Sequence, residues 1–243
     1  MAVELQDIFL WPYGNRYIRE VLRYFSPPSP APPDRSYDYG LLLRVRQAVR
    51  AGGVRVAAWD CDTNLADSAT FSRDAAYLRL ALRTGRQLGA PILRITVEHE
   101  QMGDAIGPVV DLLRQLLQDA EREGVRLALE NHGRTTGPQP VIDIVAGCAS
   151  PWLGVCLDFG NLRPESADRD FEALAPHAIF AHAKSYAFDG AGEETTIPYM
   201  HRIVALRAAG YDGVISVEYE GDGNAEDGIR HTRALIERCW ASL

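Results

Sequence analysis

The sequence predicts an α/β fold of the TIM-type (β/α) barrel class, in which parallel strands alternate with helices. Short runs of branched apolar residues alternate along the chain with longer amphipathic stretches. Such alternation implies parallel strands joined by right-handed crossovers. In addition, four of the strand-like runs end on a side chain that can bind a metal ion. Because the carboxyl ends of parallel strands meet at one edge, the four side chains indicate a common site.

The strand candidates are rich in branched apolar residues, as expected for strands buried on both faces. They are Val3–Phe9, Val54–Trp59, Ile92–Val97, Val125–Glu130, Leu153–Asp158, Ile179–Lys184 and Val214–Tyr219. The predicted helices are Tyr39–Ala51, Arg73–Leu88, Ile106–Glu123, Val141–Ala149, Phe171–Ala175, Tyr199–Ala209 and Ala225–Trp240. Three of them run into Gly89, Gly124 or Gly210 before the next strand, which is typical of helix C-caps.

The chain shows seven βα units, whereas a complete barrel of this class has eight. The first unit looks absent, because Val3–Phe9 begins almost at Met1. Either the barrel closes with seven strands, or it stays open beside Val3–Phe9. An open edge would need cover by a loop or by another subunit of a homo-oligomer. At this length a single domain, residues 1–243, is expected.

Two stretches stand apart from the alternation. After a short helical pattern, Asn15–Phe25, five prolines fall within residues 27–33 and exclude helix or central strand there. We expect a rigid surface loop or a pocket wall that carries Trp11 and Tyr13. Residues 188–196 are rich in glycine, which suits a flexible connection or a lid.

The bulk properties favour a cytoplasmic protein that acts on a small molecule. The net charge is −8, from 25 basic and 33 acidic residues without a basic run, which opposes binding to a nucleic acid. No apolar run reaches the roughly 18 residues of a membrane span, and no signal-peptide pattern is visible. The four cysteines lack paired spacing, as in a reduced compartment.

The four strand-end side chains are Glu130, Asp158, His182 and Glu218. Three carboxylates and one imidazole suit a divalent cation. If these side chains point into the barrel, the residues that alternate with them point at the helices. Those alternating residues are all apolar: Leu129, Leu157, Ala181, Ala183 and Val217. A shift of one residue would bury the charges against helices, so the alternation supports the site.

A second ring of polar side chains is predicted nearer the mouth. The same alternation places His132, Lys184 and Glu220 there, and Asn161 follows the fifth strand closely. We expect these four residues to bind substrate hydroxyls. For Lys184 the alternative is an ion pair with a neighbouring carboxylate, and for Asn161 it is a turn.

The alternation also assigns other side chains to the interior. On Ile92–Val97 it turns Arg94, Thr96 and Glu98 inward. On the fifth strand it turns Cys156 inward, where a thiol serves as a small buried filler. Both predictions follow from the period of two that side chains have along a strand.

Four motifs resemble those of the sugar-phosphate isomerase/epimerase group of the xylose-isomerase-like TIM barrels, and the resemblance covers nearly the whole chain. They are Glu130-Asn-His132, Leu157-Asp158-Phe-Gly-Asn161, His182-Ala-Lys184, and Ser216-Val-Glu218 followed by Glu220. The resemblance implies that Glu130, Asp158, His182 and Glu218 hold one divalent ion. Manganese is the first choice, with magnesium, cobalt or zinc as alternatives. The sequence departs from the family in the absent first βα unit and in Ser185, where Asp is usual.

The predicted function is that of a metal-dependent isomerase or epimerase acting on a keto-sugar or related polyol carbonyl. Removing a proton beside a carbonyl needs a base and stabilisation of the resulting enediolate. Glu130 and Glu218 are the predicted acid/base pair, one removing the proton and the other returning it. Loss of a β-hydroxyl from the same enediolate gives the alternative, a dehydratase acting on an inosose-like or keto-sugar substrate.

Two further classes fit the barrel less well. A metal-free relative that only binds a metabolite would not need the four ligands. A phosphodiesterase like endonuclease IV needs several more histidines for its three-metal cluster. Here Asn161 stands at one such position, and no Asp-x-His sequence occurs. The acidic net charge also opposes DNA binding.

Overall fold

The computed structural model describes residues 2–6, 39–61, 63, 65, 68–97, 106–133 and 137–243. Seven parallel strands lie in one sheet in the order of the sequence. They are β1 (Ala2–Gln6), β2 (Arg55–Cys61), β3 (Ile92–Ile95), β4 (Arg126–Glu130), β5 (Leu153–Asp158), β6 (Ala178–Ser185) and β7 (Ile215–Tyr219). The helices are α1 (Tyr39–Ala51), α2 (Phe71–Leu88), α3 (Ile106–Glu123), α4 (Gln139–Cys148), α5 (Ala167–Leu174), α6 (Tyr199–Ala208) and α7 (Ala225–Ala241).

The predicted fold class is confirmed: seven parallel strands alternate with helices around a nearly closed barrel. All seven predicted strands are present, with bounds that differ by a few residues at most among the described positions. The last part of Val3–Phe9 lies outside the described residues, as do Asn15–Phe25 and residues 27–33 with Trp11 and Tyr13. Glu98 lies outside them as well.

Glycines end three helices, as predicted. Gly89, Gly124 and Gly210 have φ values of 79°, 68° and 76°, in the left-handed region that favours glycine. After α2, the Gly89 N–H donates to the Arg86 carbonyl at 3.1 Å. The turn brings the chain directly back into β3, so each helix packs on the strand pair it connects.

The core has two layers. The outer layer lies between strands and helices and contains Leu129, Leu157, Ala181 and Ala183, all fully buried as the alternation predicts. Val217 is only half-buried. Inside the barrel, at the amino-terminal half of the strands, a second cluster is equally buried; we call it the inner apolar layer. It comprises Ala57, Ala58, Ala128, Cys156 and Phe180. The prediction that Cys156 is a buried filler is confirmed.

The sheet is open between its first and last strands. Within the described residues β1 pairs with β2 and β7 pairs with β6, and no ladder joins β1 to β7. Both edge strands are only partly buried, whereas β5 is buried along its whole length. Of the two alternatives for the missing unit, the described residues show the open one. We call the gap between β1 and β7 the seam.

The helices that the structure describes include none with both the length and the apolarity needed to cross a membrane. The four cysteines are buried free thiols. Burial raises the pKa of Cys148 to about 11, so its thiol stays protonated at neutral pH.

Candidate metal centre

Four side chains that end neighbouring strands converge at the carboxyl mouth of the barrel. Glu130 closes β4, Asp158 closes β5, His182 lies in β6 and Glu218 lies in β7. One potential ligand atom from each lies within 4.8 Å of the others. The register brings them together, since Asp158 pairs with His182 across β5 and β6. The structure therefore places all four predicted ligands around one point.

Several of these ligand atoms are buried without a hydrogen-bond partner. Asp158 Oδ2, His182 Nδ1 and Glu218 Oε2 are each removed from solvent and accept or donate no hydrogen bond among the described residues. An unpaired buried polar atom is costly, and an unpaired buried charge more so. Lys184 Nζ lies 3.7 Å from the Asp158 atom and 3.4 Å from the Glu218 atom. Oxygen with imidazole nitrogen is a suitable donor set for a divalent ion at the point that the three atoms face.

Asp158 is held so that one oxygen is free. Its Oδ1 accepts hydrogen bonds from the backbone N–H groups of Gly160 at 2.7 Å and Asn161 at 2.6 Å. Its Oδ2 is left for the site and lies 3.7 Å from Lys184 Nζ. Burial raises the pKa of Asp158 well above its usual value, and the charges of Glu218 and Glu130 add to the effect while Lys184 opposes it.

Asn131 joins β4 to the turn after β5. Its Nδ2 donates to the carbonyl oxygens of Asp158 at 3.1 Å and Asn161 at 3.0 Å. Its Oδ1 accepts from the Asp158 N–H at 2.7 Å. This buried amide fixes the position of the Asp158 backbone. Sequence reasoning did not assign Asn131 a role, although a buried amide directly after a strand-end ligand is a signal.

Glu130 is bound by cationic groups on two sides. Its Oε2 lies 3.4 Å from Arg94 Nε, and its Oε1 lies 3.3 Å from His182 Nδ1 without forming a hydrogen bond. Burial would raise the pKa of Glu130, but Arg94 and His182 hold it well below the usual range. Asn161 Nδ2 is at 3.5 Å from Oε1. Arg94 is turned inward as predicted, and Glu130 stays ionised.

Lys184 lies across the mouth from Asp158, in contact with the carboxylates of β7. Its Nζ is 3.1 Å from Glu220 Oε1 and 3.4 Å from Glu218 Oε2. Burial disfavours the ammonium, yet the charges of Asp158, Glu218 and Glu220 raise the pKa of Lys184 above its usual value. Lys184 is therefore a protonated hydrogen-bond donor. It is also the single lysine of the 243-residue sequence, in which every other basic side chain of this kind is arginine.

The predicted substrate-binding residues lie at the same mouth but differ in exposure. Asn161 and Lys184 are buried beside the four ligands, and Glu220 is exposed and paired with Lys184. His132 is exposed just beyond β4, where its charge acts on Glu130. The ion-pair alternative for Lys184 is thus observed, and it leaves the ammonium directed at the centre of the site.

Glu4 and Asp60 extend the polar interior towards the seam, and sequence reasoning missed both. Glu4 Oε1 lies 2.8 Å from His182 Nε2, on the side of the imidazole opposite to Nδ1. Asp60 Oδ2 lies 3.3 Å from Arg94 Nη2. Burial and the charge of Glu4 raise the pKa of Asp60, against the effect of Arg94. The alternation of Val3 and Leu5 with Glu4 was the signal that could have identified the first of them.

The glycine-rich stretch after β6 is a hairpin held by its own hydrogen bonds. Phe188 pairs with Glu194 in an antiparallel bridge, and the Glu194 carboxylate accepts backbone N–H groups from Tyr186 at 3.2 Å and Thr196 at 2.6 Å. Arg238 of α7 donates to the Gly192 carbonyl at 2.9 Å. These contacts anchor the hairpin on α7, so it is not the loose connection that its composition suggested.

A cleft of about 700 Å³ opens beside the mouth, between the turn after β5 and the segment after β6. Its wall includes Gly160, Leu162, Tyr186 and Ile197. Gly160 lies against Lys184: a Cβ there would come within 3.0 Å of Lys184 Cδ. The cleft therefore borders Lys184 only through Gly160, and none of the four candidate ligands belongs to its wall.

Comparison with known proteins gives a consistent picture of the fold. The sequence profile of the family described as "Xylose isomerase-like TIM barrel" matches residues 20–239. The solved structure of L-ribulose 3-epimerase superposes with a TM-score of 0.68 at 15% identity, over 100% of this chain and 95% of that one. A xylose isomerase-like TIM barrel protein from Mycobacterium smegmatis, in complex with magnesium, gives 0.68 at 15% identity over 99% and 97%.

Two curated relatives match parts of the chain at higher identity. A C-glycoside deglycosidase alpha subunit from Microbacterium trichothecenolyticum is 32% identical over 123 residues, 49% of this chain and 31% of that protein. A 3'-dehydrocarminate deglycosidase alpha subunit from a Microbacterium species is 41% identical over 63 residues, 26% of this chain and 17% of that protein. The chain thus matches less than a third of the length of either subunit.

Proposed function

Because the chain belongs to the xylose isomerase-like TIM barrel family, we propose that it is a divalent-metal-dependent isomerase or epimerase acting on a keto-sugar or related polyol carbonyl. Glu130, Asp158, His182 and Glu218 hold the ion, with Mn²⁺ as the first metal to test. The single observation that carries the proposal is the convergence of four potential ligand atoms, three of which, on Asp158, His182 and Glu218, are buried without a hydrogen bond.

The chemistry is proton transfer at the carbon beside the carbonyl. Glu130 Oε1 lies 3.3 Å from His182 Nδ1, and Glu218 Oε2 lies 3.6 Å from the same nitrogen. A substrate bound above the imidazole would therefore have a carboxylate on each side. When bound, the ion supplies Lewis-acid stabilisation for the developing enediolate. One glutamate takes the proton, the other returns it, and Lys184 donates a hydrogen bond to a substrate oxygen. Return to the same carbon epimerises, and return to the neighbouring carbon isomerises.

The test combines metal analysis with proton exchange. The protein is stripped with EDTA, reloaded separately with Mn²⁺, Mg²⁺, Co²⁺ or Zn²⁺, and its metal content measured by elemental analysis. Each form is then incubated in D₂O with a panel of ketoses, an inosose and 3-keto-glucosides, and the proton beside the carbonyl is followed by NMR. We expect one ion per chain and exchange only in a loaded form. Wild-type exchange in the stripped protein, or a lack of any bound ion, would contradict the proposal.

A second function uses the same first step and corresponds to the dehydratase alternative. After proton removal beside a ketone, loss of a substituent from the β carbon forms a C=C bond, and the leaving group takes a proton. The local identity to deglycosidase alpha subunits favours this outcome on a keto-glycoside.

The products separate the two functions. A 3-keto-glucoside with a chromogenic leaving group would release the chromophore only by elimination. Epimerisation would change the sugar and leave the glycosidic bond intact. A metal-free metabolite-binding relative would do neither, and it would bind its ligand equally well after EDTA treatment.

A further inference from the structure

A carboxylate outside the four-ligand cluster faces His182 from the seam. Glu4 lies on β1, and its Oε1 is 2.8 Å from His182 Nε2. Its side chain is 12% exposed and that of His182 is 3% exposed, so the contact is shielded from solvent. The sequence motifs place no metal ligand on β1, although Glu4, Asp60 and His182 each bring a potential ligand atom within 4.8 Å of the others. The contact joins residues 178 positions apart in the sequence.

The geometry points to Glu4 as the positioning residue that fixes the proton of His182 on Nε2 and thereby presents Nδ1 to the cation. This inference rests on the proposed metal centre. An imidazole that binds a metal through one nitrogen keeps a single N–H, on the other nitrogen. With a carboxylate accepting at Nε2, the proton belongs there, and Nδ1 keeps its lone pair directed at Glu130 and Glu218. Carboxylates that accept from the second nitrogen of a metal-binding histidine orient the ring in this way.

The surroundings of Glu4 keep it in place. Asp60 and Ser216 both lie within hydrogen-bonding reach of its carboxylate. Asp60 in turn contacts Arg94, and Arg94 contacts Glu130, so a chain of polar contacts runs from the candidate base back to the histidine. Ser216 belongs to β7, on the far side of the seam. Glu4 therefore also connects β1 to β7 where no ladder does.

A planar ring held from one side only would be free to turn. On its lower face His182 meets the edge of Phe180, with ring centroids 5.6 Å apart. Phe180 restricts the tilt of the imidazole but cannot choose between its two nitrogens, since it offers no acceptor. That choice needs an acceptor within hydrogen-bonding distance: Glu4 Oε1 lies 2.8 Å from Nε2, whereas Glu130 Oε1 lies 3.3 Å from Nδ1 without forming a hydrogen bond.

The experiment compares Glu4→Ala and Glu4→Gln with wild type. The glutamine amide oxygen can still accept from Nε2, so Glu4→Gln should retain most of the Mn²⁺ affinity. Glu4→Ala should lower it by roughly 10- to 100-fold, as removal of such partners usually does. The dissociation constant is measured by calorimetry on the EDTA-treated full-length protein. Asp170→Asn is the matched control, because Asp170 is a buried, arginine-paired carboxylate outside the barrel interior, on α5. It should reduce stability and leave Mn²⁺ affinity unchanged.

A second readout keeps the inference testable independently of metal binding. Nitrogen-15 NMR of histidine-labelled, metal-free protein, followed to a pH at which the imidazole is neutral, reports which nitrogen carries the proton, with His182 assigned by its own Asn variant among six histidines. Wild type and Glu4→Gln should show the Nε2–H tautomer, and Glu4→Ala a mixture. Absence of Mn²⁺ binding in wild type would refute the proposed function alone. Unchanged affinity and an unchanged tautomer in a folded Glu4→Ala would overturn the role of Glu4.

Discussion

Lys184 pairs with Glu218 in the register of β6 and β7, and the two side chains meet at 3.4 Å above the barrel. The pair joins the candidate acid/base group to a fixed positive charge. The other Lys/Arg positions of the chain are all arginine, and the single lysine lies here, where its compact ammonium contacts three carboxylates.

The first prediction concerns this ammonium. Lys184→Ala should raise KM more than it lowers kcat, because Lys184 binds a substrate oxygen and does not itself transfer the proton. Glu220→Ala should do the same to a smaller extent, since its main contact is with Lys184. Because the two residues touch, the double variant should show a non-additive effect in steady-state kinetics. Lys184→Arg should not restore wild-type KM, and full rescue by arginine would mean that only the charge matters.

The second prediction separates the two glutamates. Glu130→Gln and Glu218→Gln keep a ligand oxygen and lose the base, so each should lower turnover by ~10²–10⁴-fold. Deuterium should no longer wash into the substrate carbon beside the carbonyl. Glu130→Gln should also reduce thermal stability, because it leaves the buried Arg94 without this ion pair. Glu218 is 32% exposed, and its partner Lys184 keeps its contacts with Asp158 and Glu220 when Glu218 is replaced. Wild-type exchange by the double variant with metal bound would rule out the two-glutamate mechanism.

The third prediction concerns pH and the metal-free protein. Burial raises the pKa of Asp158, so its ionised form destabilises the folded state, and this cost appears as pH rises above the unfolded value of about 3.9. Asp158→Asn removes the charge, and its Oδ1 can still accept from Gly160 and Asn161. Without metal the variant should therefore unfold at a higher temperature than wild type at pH 7, and at a similar one near pH 4. With Mn²⁺ added, only wild type should gain stability. Calorimetric scans at pH 4 and pH 7 measure the unfolding temperatures of wild type and Asp158→Asn. A metal-free variant that is less stable than wild type at pH 7 would contradict the charge argument.

The fourth prediction addresses Asn131. Asn131→Ala leaves the buried Asp158 N–H and carbonyl without partners, each at a cost of about 1–3 kcal/mol, so the free energy of unfolding should fall by roughly 2–4 kcal/mol. Urea denaturation measures it. The control is Asn224→Ala, which removes an exposed helix cap on α7 and should cost about 1 kcal/mol. The affinity for the metal should fall in Asn131→Ala and stay unchanged in Asn224→Ala. Equal losses of stability in the two variants would show that Asn131 is not a structural link.

Much of the fold could be predicted because the relevant signals are local. The bounds of α1, α3 and β5 coincide with those read from apolar periodicity. The predicted start of α5 was wrong, since the helix begins at Ala167 and not at Phe171. Its first turn contains Asp168 and Asp170, polar residues that obscure the apolar period yet stabilise a helix N-terminus through the macrodipole.

The candidate site was predictable only where strand parity alone decides it. Glu130, Asp158 and His182 follow from alternation within their own strands. The contact of Glu4 with His182 depends on how closely β1 approaches the strands across the seam, and no local sequence pattern predicts that separation. The same holds for Asp60 and Arg94, whose pairing depends on the stagger between β2 and β3.

The inner apolar layer fills the interior of the barrel below the candidate site. Ala58, Ala128, Cys156 and Phe180 are completely buried directly beneath the imidazole of His182, so the described residues offer no passage through the barrel axis. Among the described residues, substrate and product therefore pass on the mouth side of the imidazole and not beneath it. A product that is still at the mouth would delay the next substrate.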